Sequence, residues 1–306
     1  MKFLGYIIVY SKLWLIARLP KKIIYSISDL LYLFIYYVAR YRRDVVYGNL
    51  RKVFPDYNEK EIKSIAKKFY KHLSDVIIES AIIHFIPFEK SCKQFTVKNP
   101  EIVNQLKDKK KNIVAISGHY GNWEFLSHLE KHIDHQFVAI YKPLKNKYFD
   151  RFIRKSRSKY GSILVPMNKI ARTLIKLQKD NILSLSGFLA DQRPIWEHIQ
   201  HWTKFMGLDT PVYMGPEKIA RKLNSAVVFM GIRKIKRGFY EIEFTLITEN
   251  ALDEEPFTVT ETYFKLMEEL IRENPAYWLW SHDRWKFNFN DFKDNHPNYT
   301  DFSNRT

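Results

Sequence analysis

The 306-residue sequence predicts an α/β fold, a mostly parallel sheet flanked by helices, preceded by a hydrophobic helical segment at the amino terminus. Two observations predict it. From about Lys111, short apolar runs alternate with amphipathic stretches, the pattern of parallel strands joined by helices. Before Arg40 the chain is instead apolar and aromatic, with no such alternation.

Composition indicates a folded protein with an anionic partner. Hydrophobic residues make up 46% of the chain, enough to fill a core, so a disordered chain is excluded. The single cysteine, Cys92, excludes an intramolecular disulfide framework and is typical of a reducing compartment. The formal charge of +17 indicates an anionic partner, and nucleic acid, anionic lipid and an acidic carrier protein all qualify.

The amino-terminal segment, residues 1–45, is predicted to be seated in a membrane. Apolar runs at 1–20 and 23–39 precede a cluster of arginines, Arg40, Arg42 and Arg43. The second run would be about 26 Å long as a helix, slightly less than the ~30 Å hydrocarbon core. It therefore suits a short tilted span or a helix in the interface, and a pair of buried core helices is the alternative.

A long amphipathic helix is predicted next. Asn58, followed three residues later by Glu61, is the pattern of a capping box. Apolar residues then recur at helical spacing, namely Ile62, Ile65, Ala66, Phe69, Leu73, Val76 and Ile77. The opposite face carries lysines, which usually form a solvated surface: Lys63, Lys67, Lys68 and Lys71.

The alternating region supplies the strands and helices of the predicted α/β domain, residues 46–286. The expected strands are 112–117, 136–141, 182–190, 226–232 and 240–247. The expected helices are 123–133, 147–160, 169–179, 215–223 and 257–272. Asn274 and Pro275 end the last helix, because the residue before a proline disfavours the helical conformation. Residues 287–306 are expected to form a loose tail.

The residues best suited to chemistry follow the strand at 112–117, where the sequence reads Gly-His119-Tyr-Gly-Asn122-Trp-Glu124. Open α/β sheets form their sites at the carboxyl ends of strands. Glu124, in the next helical turn, is expected to accept a hydrogen bond from His119 and leave the other imidazole nitrogen as a base. Asn122 suits the helix N-cap and can also contact a ligand. A structural histidine beside a helix start is the alternative.

Other chemistries are less well supported. His128, Glu130 and His132 lack the adjacent His-Glu pair of metalloproteases, so no metal is expected. Cys92 lies outside the strand-loop elements and no serine occupies a nucleophile elbow, which disfavours a covalent intermediate. No nucleic-acid-binding motif accompanies the basic charge, so nucleic acid is not an expected partner.

The motif from His119 to Glu124 resembles the H-x4-E motif of the lipid A biosynthesis acyltransferases, the late enzymes that add secondary acyl chains to lipopolysaccharide. Other segments similar to the family follow in its order, from about Arg40 to Lys286: Arg42-Arg43 with Asn49-Leu50, Phe54-Pro55, the run 141–146, Arg157, Gly161, Asp191-Gln192, Phe205-Met206-Gly207, Thr210-Pro211 and Trp278-Leu279-Trp280-Ser281-His282. Asp283 departs from the arginine that commonly follows that histidine.

The resemblance implies a glycerolipid-acyltransferase-like fold and an O-acyltransferase. The donor would be a fatty acyl thioester of acyl carrier protein, with no cofactor besides it, and the acceptor a hydroxyl group of a lipid A precursor. The site would face the cytoplasm at a bacterial inner membrane. The same chemistry on a glycerophospholipid, glycolipid or aminolipid is the alternative, followed by a basic nucleic-acid-binding protein or an inactive membrane scaffold.

The resemblance also implies roles for particular residues. His119 would be the general base and Glu124 its orienting partner. Arg157, or Arg154 on the same helix face, would supply positive charge to the developing oxyanion or to a phosphate. The pair Asp191-Gln192, at the end of a predicted strand, would position substrate or cap a turn.

Overall fold

A seven-stranded sheet forms the centre of the protein. The computed structural model describes residues 2–144, 146–158, 161–296 and 299. The strands of this part are β1 (Phe95–Val97), β2 (Ile113–Ser117), β3 (Gln136–Tyr141), β4 (Ile163–Pro166), β5 (Ser184–Leu189), β6 (His201–Phe205), β7 (Leu208–Val212), β8 (Ala226–Lys236) and β9 (Phe239–Thr248). The sheet has the order β1-β9-β8-β2-β5-β3-β4, while β6 and β7 form a separate antiparallel hairpin.

The sheet is mostly parallel, as predicted. Every neighbouring pair in it is parallel except β8 and β9, which are antiparallel. All five residues of β2 are buried: Val114 and Ile116 belong to one apolar cluster, whereas Ile113 and Ala115 belong to the other. Both faces of the sheet are therefore covered, which is the usual condition of a parallel sheet.

Helices cover the sheet and precede it. They are α1 (Lys2–Ile16), α2 (Lys21–Leu33), α3 (Arg43–Val53), α4 (Glu59–Ile82), α5 (Phe88–Cys92), α6 (Glu101–Asp108), α7 (Lys147–Arg157), α8 (Ile170–Lys179), α9 (Gly215–Leu223), α10 (Thr258–Glu273) and α11 (Phe289–Asn295). A π-helical turn, Phe34–Val38, continues α2, and short 3₁₀ helices lie at Ile83–Phe85, Met167–Lys169, Trp196–His198 and Pro275–Tyr277.

Helix α4 forms as its sequence predicts. The side chain of Asn58 accepts hydrogen bonds from the backbone N–H groups of Lys60 and Glu61 at 3.0 and 3.1 Å. The Glu61 carboxylate in turn accepts the Asn58 N–H at 2.8 Å, which completes the capping box. The apolar face packs into the protein, although Ile77, at 42% exposure, lies outside it.

The structure differs from the sequence-based expectations in three places. The segment Trp123–Lys131 is a 3₁₀ helix, and within it the Ser127 hydroxyl donates to the carbonyl of Glu124, an i−3 contact that competes with α-helical bonding. Strands β1, β4, β6 and β7 were not among the strands expected from the sequence. The expected loose tail contains α11, whose Phe292 is buried beside Trp202, while residues 297–298 and 300–306 lie outside the described part.

The amino-terminal helices are partly packed and partly exposed. Ile24, Ser28 and Tyr36 are buried on the side of α2 and its π-turn that contacts α4. The other side exposes large apolar side chains: Ile23, Leu30, Leu33, Phe34, Tyr37 and Val38. Among the described residues, no single helix is both long and apolar enough to cross a membrane; the bent pair 21–38 and 43–53, with an angle of 87°, meets that test jointly.

Candidate active site

The candidate active site lies where the carboxyl ends of β2 and β5 meet. These strands are parallel neighbours, with Ser117 opposite Leu189. The loop after β2 carries His119 and the loop after β5 carries Asp191, so both side chains reach the same edge of the sheet.

Asp191 holds His119. One carboxylate oxygen of Asp191 lies 2.7 Å from Nδ1 of His119, and the other accepts the backbone N–H of His119 at 3.0 Å. Because a carboxylate accepts, Nδ1 carries the proton and Nε2 is left as the basic nitrogen. The hydrogen bond expected from Glu124 is thus made by Asp191 instead.

The pair is electrostatically coupled. Burial by itself lowers the pKa of His119, but the charge of Asp191, the hydrogen bond to it and the charge of Glu124 together raise that pKa above its usual value. Burial opposes ionisation of Asp191, yet its contacts with His119 hold the pKa of this carboxyl below its usual range. Asp191 is therefore a fixed negative charge that strengthens the basicity of His119.

The segment near the carboxyl end that resembles the family's closing motif supports this pair. The indole N–H of Trp278 donates to Asp191 at 2.9 Å, and the backbone N–H of Leu279 donates to the carbonyl of His119 at 3.0 Å. Asn49, from α3, donates to the carbonyls of Trp280 and His282 at 2.9 and 2.8 Å. Segments far apart in the sequence therefore fix the position of the loop after β2, which carries His119.

Glu124 binds Arg157. The Nη2 atom of Arg157 lies 2.6 and 2.9 Å from the two carboxylate oxygens, and its Nε lies 3.2 Å from one of them. This bidentate pair directs the Glu124 carboxylate toward Arg157, and among the described residues no hydrogen bond joins Glu124 to His119. The Nη1 group of Arg157 has no hydrogen-bond partner among the described residues, so it can meet a substrate anion.

A cavity of about 230 Å³ opens beside these residues. Its charged or titratable lining residues are His119, Glu124, Lys142 and Arg157, with Ser127 and Tyr141 as further polar ones. The remaining lining, called here the apolar side, comes from the 3₁₀ helix, β3 and β5: Trp123, Leu126, Phe137, Ala139, Ile140, Gly187 and Leu189. A ligand with a polar reacting group and a hydrocarbon chain fits such a mixed lining.

The other predicted site residues occupy different positions. The side-chain nitrogen of Gln192 lies 3.4 Å from Nε2 of His119, next to the basic nitrogen. Asn122 is fully buried; its oxygen accepts the Glu124 N–H at 3.2 Å, which is the expected N-cap, and the side chain does not line the cavity. Arg154 is exposed on α7 and also does not line it.

Two glycines allow the loop to pack closely. A Cβ at Gly118 would lie 2.6 Å from the side chain of Met267, and Gly121 has a φ of +61° that side-chain-bearing residues rarely adopt. The N–H of Gly121 donates to the carbonyl of Tyr277 at 3.0 Å, and its carbonyl lies 3.1 Å from Nε2 of His72.

A buried carboxylate on α4 anchors the same loop. Glu79 accepts hydrogen bonds from Asn122 at 2.8 Å, from the Tyr240 hydroxyl at 2.7 Å and from the Tyr25 hydroxyl at 2.9 Å. Burial raises the pKa of Glu79, although the hydrogen bonds from Tyr240 and Asn122 act in the opposite direction. Helix α2, strand β9 and the loop that carries His119 thus meet at the side chain of Glu79.

We expect Glu79→Ala to lower the free energy of unfolding by about 3–5 kcal/mol, because three donors would lose their acceptor. Glu79→Gln should cost less, since its amide oxygen can still accept. Urea unfolding followed by circular dichroism measures the difference. Glu59→Ala, at the exposed start of the same helix, is the control and should change little. Equal losses in Glu79→Ala and Glu59→Ala would contradict the anchoring role.

Two of the three residues that mimic a metal motif have structural partners. His128 lies 2.7 Å from the hydroxyl of Ser91, and Glu130 accepts the N–H of Phe137 at 2.7 Å. Within the described ranges, no group of three or more His, Cys, Asp and Glu side chains is arranged to hold a metal ion.

Sequence reasoning did not single out several residues of the site. Trp123 packs edge-on against the His119 ring at 4.9 Å, and Lys142 and Gly187 line the cavity. A signal for Glu79 was available: His72, Asp75 and Glu79 recur at helical spacing on the otherwise apolar face of α4, where polar residues must find partners.

A basic histidine held by a buried carboxylate, beside a largely apolar cavity at the strand ends, is an arrangement suited to general-base chemistry on a partly apolar substrate. The sequence model of the bacterial lipid A biosynthesis acyltransferases matches residues 1–287, and the chain belongs to this family. It is accordingly an O-acyltransferase. A comparison with curated proteins finds no match.

Proposed function

We propose that this enzyme transfers a fatty acyl chain from an acyl carrier protein thioester to a hydroxyl group of a lipid A precursor. The observation that carries the proposal is that His119, held by Asp191, lines a cavity bounded by both charged and apolar side chains. Family membership supports the lipid acceptor class.

In the proposed reaction, Nε2 of His119 takes the proton of the acceptor hydroxyl while the hydroxyl oxygen attacks the carbonyl carbon of the thioester. The C–O bond forms while the carbonyl becomes an oxyanion. When the carbonyl reforms, the C–S bond breaks and the imidazolium returns the proton to the departing thiolate. Asp191 stabilises the imidazolium through Nδ1, so no covalent enzyme intermediate and no cofactor is required.

Arg157 is the residue best placed to meet negative charge. Its Nη1 donors are not used by Glu124, and the side chain lines the same cavity as His119. We assign to it the oxyanion or a phosphate of the acceptor, with Glu124 holding the guanidinium in place. Gln192 is positioned to orient the acceptor hydroxyl at Nε2 of His119. Arg154 is exposed on α7, so we assign to it a contact with a part of the acceptor farther from the reacting hydroxyl.

The apolar side of the cavity suits the acyl chain. Gly187, in the middle of β5, lines it, and a Cβ there would lie 3.1 Å from the ring of Phe137, another lining residue. A side chain at this position would shorten the space available to hydrocarbon, and each methylene group that remains buried contributes about 0.8 kcal/mol.

We therefore expect Gly187→Val to shift donor preference to shorter chains. If three methylene groups lose their burial, kcat/KM for the longest accepted donor should fall roughly 50-fold relative to a shorter donor. A series of acyl carrier protein thioesters of increasing chain length measures this. Ser186→Ala, at the adjacent position of β5, is the control and should keep the wild-type preference. A uniform loss at all chain lengths would contradict the assignment of this side of the cavity to the acyl chain.

We also propose that the amino-terminal helices seat the enzyme on the cytoplasmic face of a bacterial inner membrane. The apolar side chains exposed on α2 and its π-turn, followed by Arg40, Arg42 and Arg43, support this placement, since apolar surface and cations together favour an anionic bilayer. The acidic surface of a carrier protein would meet the basic enzyme at the same face.

The direct test of the function is a transfer assay with the purified full chain in detergent. Labelled acyl carrier protein thioester is supplied with a lipid A precursor, a glycerophospholipid or an aminolipid, and products are identified by mass spectrometry. We expect an O-acylated lipid A precursor as the main product. Transfer to another acceptor alone would contradict the proposed substrate, and transfer to none would contradict the function.

A further inference from the structure

A second cavity, of about 350 Å³, lies on a different part of the surface and shares no lining residue with the cavity beside His119. Four cationic side chains line it: Lys68 and Lys71 from α4, with Lys234 and Arg237 from the β8–β9 hairpin. We call it the lysine cavity. Asp75 is the carboxylate found among its described lining residues.

The lysine cavity carries an excess of positive charge. Arg237 binds both Asp75 and Asp29, at 2.6 and 2.7 Å, and Asp29 also lies 3.7 Å from Lys71. These two carboxylates balance two of the four cations, so two positive charges remain. Because cations outnumber carboxylates around this cavity, its electrostatic potential is positive and favours an anion.

Lys234 is the most buried of these cations, with 9% of its side chain exposed. Its ammonium lies 3.2 Å from Asp75 and 3.2 Å from Nδ1 of His72. Burial, then the charge of Lys234, lowers the pKa of His72 to about 3, so this imidazole is neutral and adds no positive charge of its own. An ammonium has three donors, and the third has no hydrogen-bond partner within the described ranges.

Residues that line the lysine cavity also contact the loop after β2, which carries His119. His72 contacts the carbonyl of Gly121, and Tyr277, which lines the cavity, accepts the N–H of the same glycine. An occupant would therefore rest against the residues that position the loop carrying His119.

We propose that the lysine cavity is a binding site for a phosphate group. A phosphate near neutral pH carries between one and two negative charges and only accepts hydrogen bonds from Lys and Arg, which matches the two uncompensated charges and the donors present. The phosphate is either a free ion or the phosphomonoester headgroup of a lipid. The binding test below needs no catalytic activity, so its result does not depend on whether the proposed function is correct.

The test measures binding to the full chain. Inorganic phosphate is titrated at constant ionic strength, with chloride as the balancing anion, and the melting temperature is followed. In parallel, binding to phosphatidylcholine vesicles is compared with and without phosphatidic acid. Lys68→Met/Lys71→Met removes the two exposed cations, whereas Lys63→Met/Lys67→Met removes the same charge from the same helix outside the cavity.

We expect wild type to be stabilised by phosphate beyond the effect of chloride, or to bind phosphatidic acid selectively. Lys68→Met/Lys71→Met should weaken that binding about tenfold or more, and the control should not. If Lys68→Met/Lys71→Met loses the stabilisation by inorganic phosphate, the ligand is the free ion. If it loses only the binding to phosphatidic acid vesicles, the ligand is the lipid headgroup. Equal behaviour of the two double variants in both assays, whether both lose binding or neither does, would overturn the proposal.

Discussion

His119→Ala should abolish most acyl transfer, with kcat lower by about 10²–10⁴-fold. The variant has no nitrogen at the position of Nε2, so the acceptor hydroxyl would have to attack while still protonated. Binding of the acyl donor should change little, because the apolar side of the cavity is intact. The measurement is kcat and KM for the donor at saturating acceptor, with product quantified by mass spectrometry.

The control for this loss is His198→Ala, which removes an exposed histidine outside the cavity. It should retain the wild-type rate, and thermal unfolding should show that both variants fold. Transfer that survives His119→Ala within a few-fold of wild type would contradict the assigned base.

Asp191→Asn should reduce kcat nearly as much as the loss of His119 itself, by about 10²-fold or more. An amide in place of the carboxylate no longer enforces a proton on Nδ1 of His119, so the proton can move to Nε2 and remove the base. The same substitution leaves the backbone N–H of His119 and the indole of Trp278 with one fewer well-placed acceptor. Asp191→Asn removes the charge but keeps the size of the side chain and one acceptor oxygen, whereas Asp191→Ala removes all three. The difference between the two variants therefore separates the effect of the charge from that of the packing and hydrogen bonds.

The matched variant is Glu124→Gln, which alters the other carboxylate of the site. We expect it to weaken the hold on Arg157 and so to raise KM or lower kcat, while the tautomer of His119 is preserved by Asp191. If Glu124→Gln changed the titration of the base and Asp191→Asn did not, the roles of the two carboxylates would be reversed.

The sheet was largely predictable because most of its strands are apolar runs that stand out in the sequence, and β2 at its centre is buried along its whole length. β2, β3, β5, β8 and β9 fall within a few residues of the apolar runs that predicted them. The strands β1, β4, β6 and β7 were not predicted: β1 and β4 have only three and four residues, and the β6–β7 hairpin carries polar residues and Pro211 that obscure its alternation.

The structure brings several of the predicted site residues together but pairs them differently from the expectation. His119, Glu124, Arg157 and Asp191 were all identified, yet sequence proximity suggested the pairing of His119 with Glu124. The partner is instead 72 residues away in sequence, because β2 and β5 are adjacent in the sheet although not consecutive in the chain. Arg157, on α7, then takes the carboxylate of Glu124.

The most direct test of the central claim, that Asp191 makes His119 the base, is the pH dependence of kcat/KM. The base acts when unprotonated, and Asp191 raises the pKa of His119, so wild-type activity should rise with pH through an apparent pKa above 6.5. In Asp191→Asn, burial dominates and the rising limb should move to lower pH, while in Glu124→Gln it should move much less. A limb that stays in place in Asp191→Asn would contradict the account.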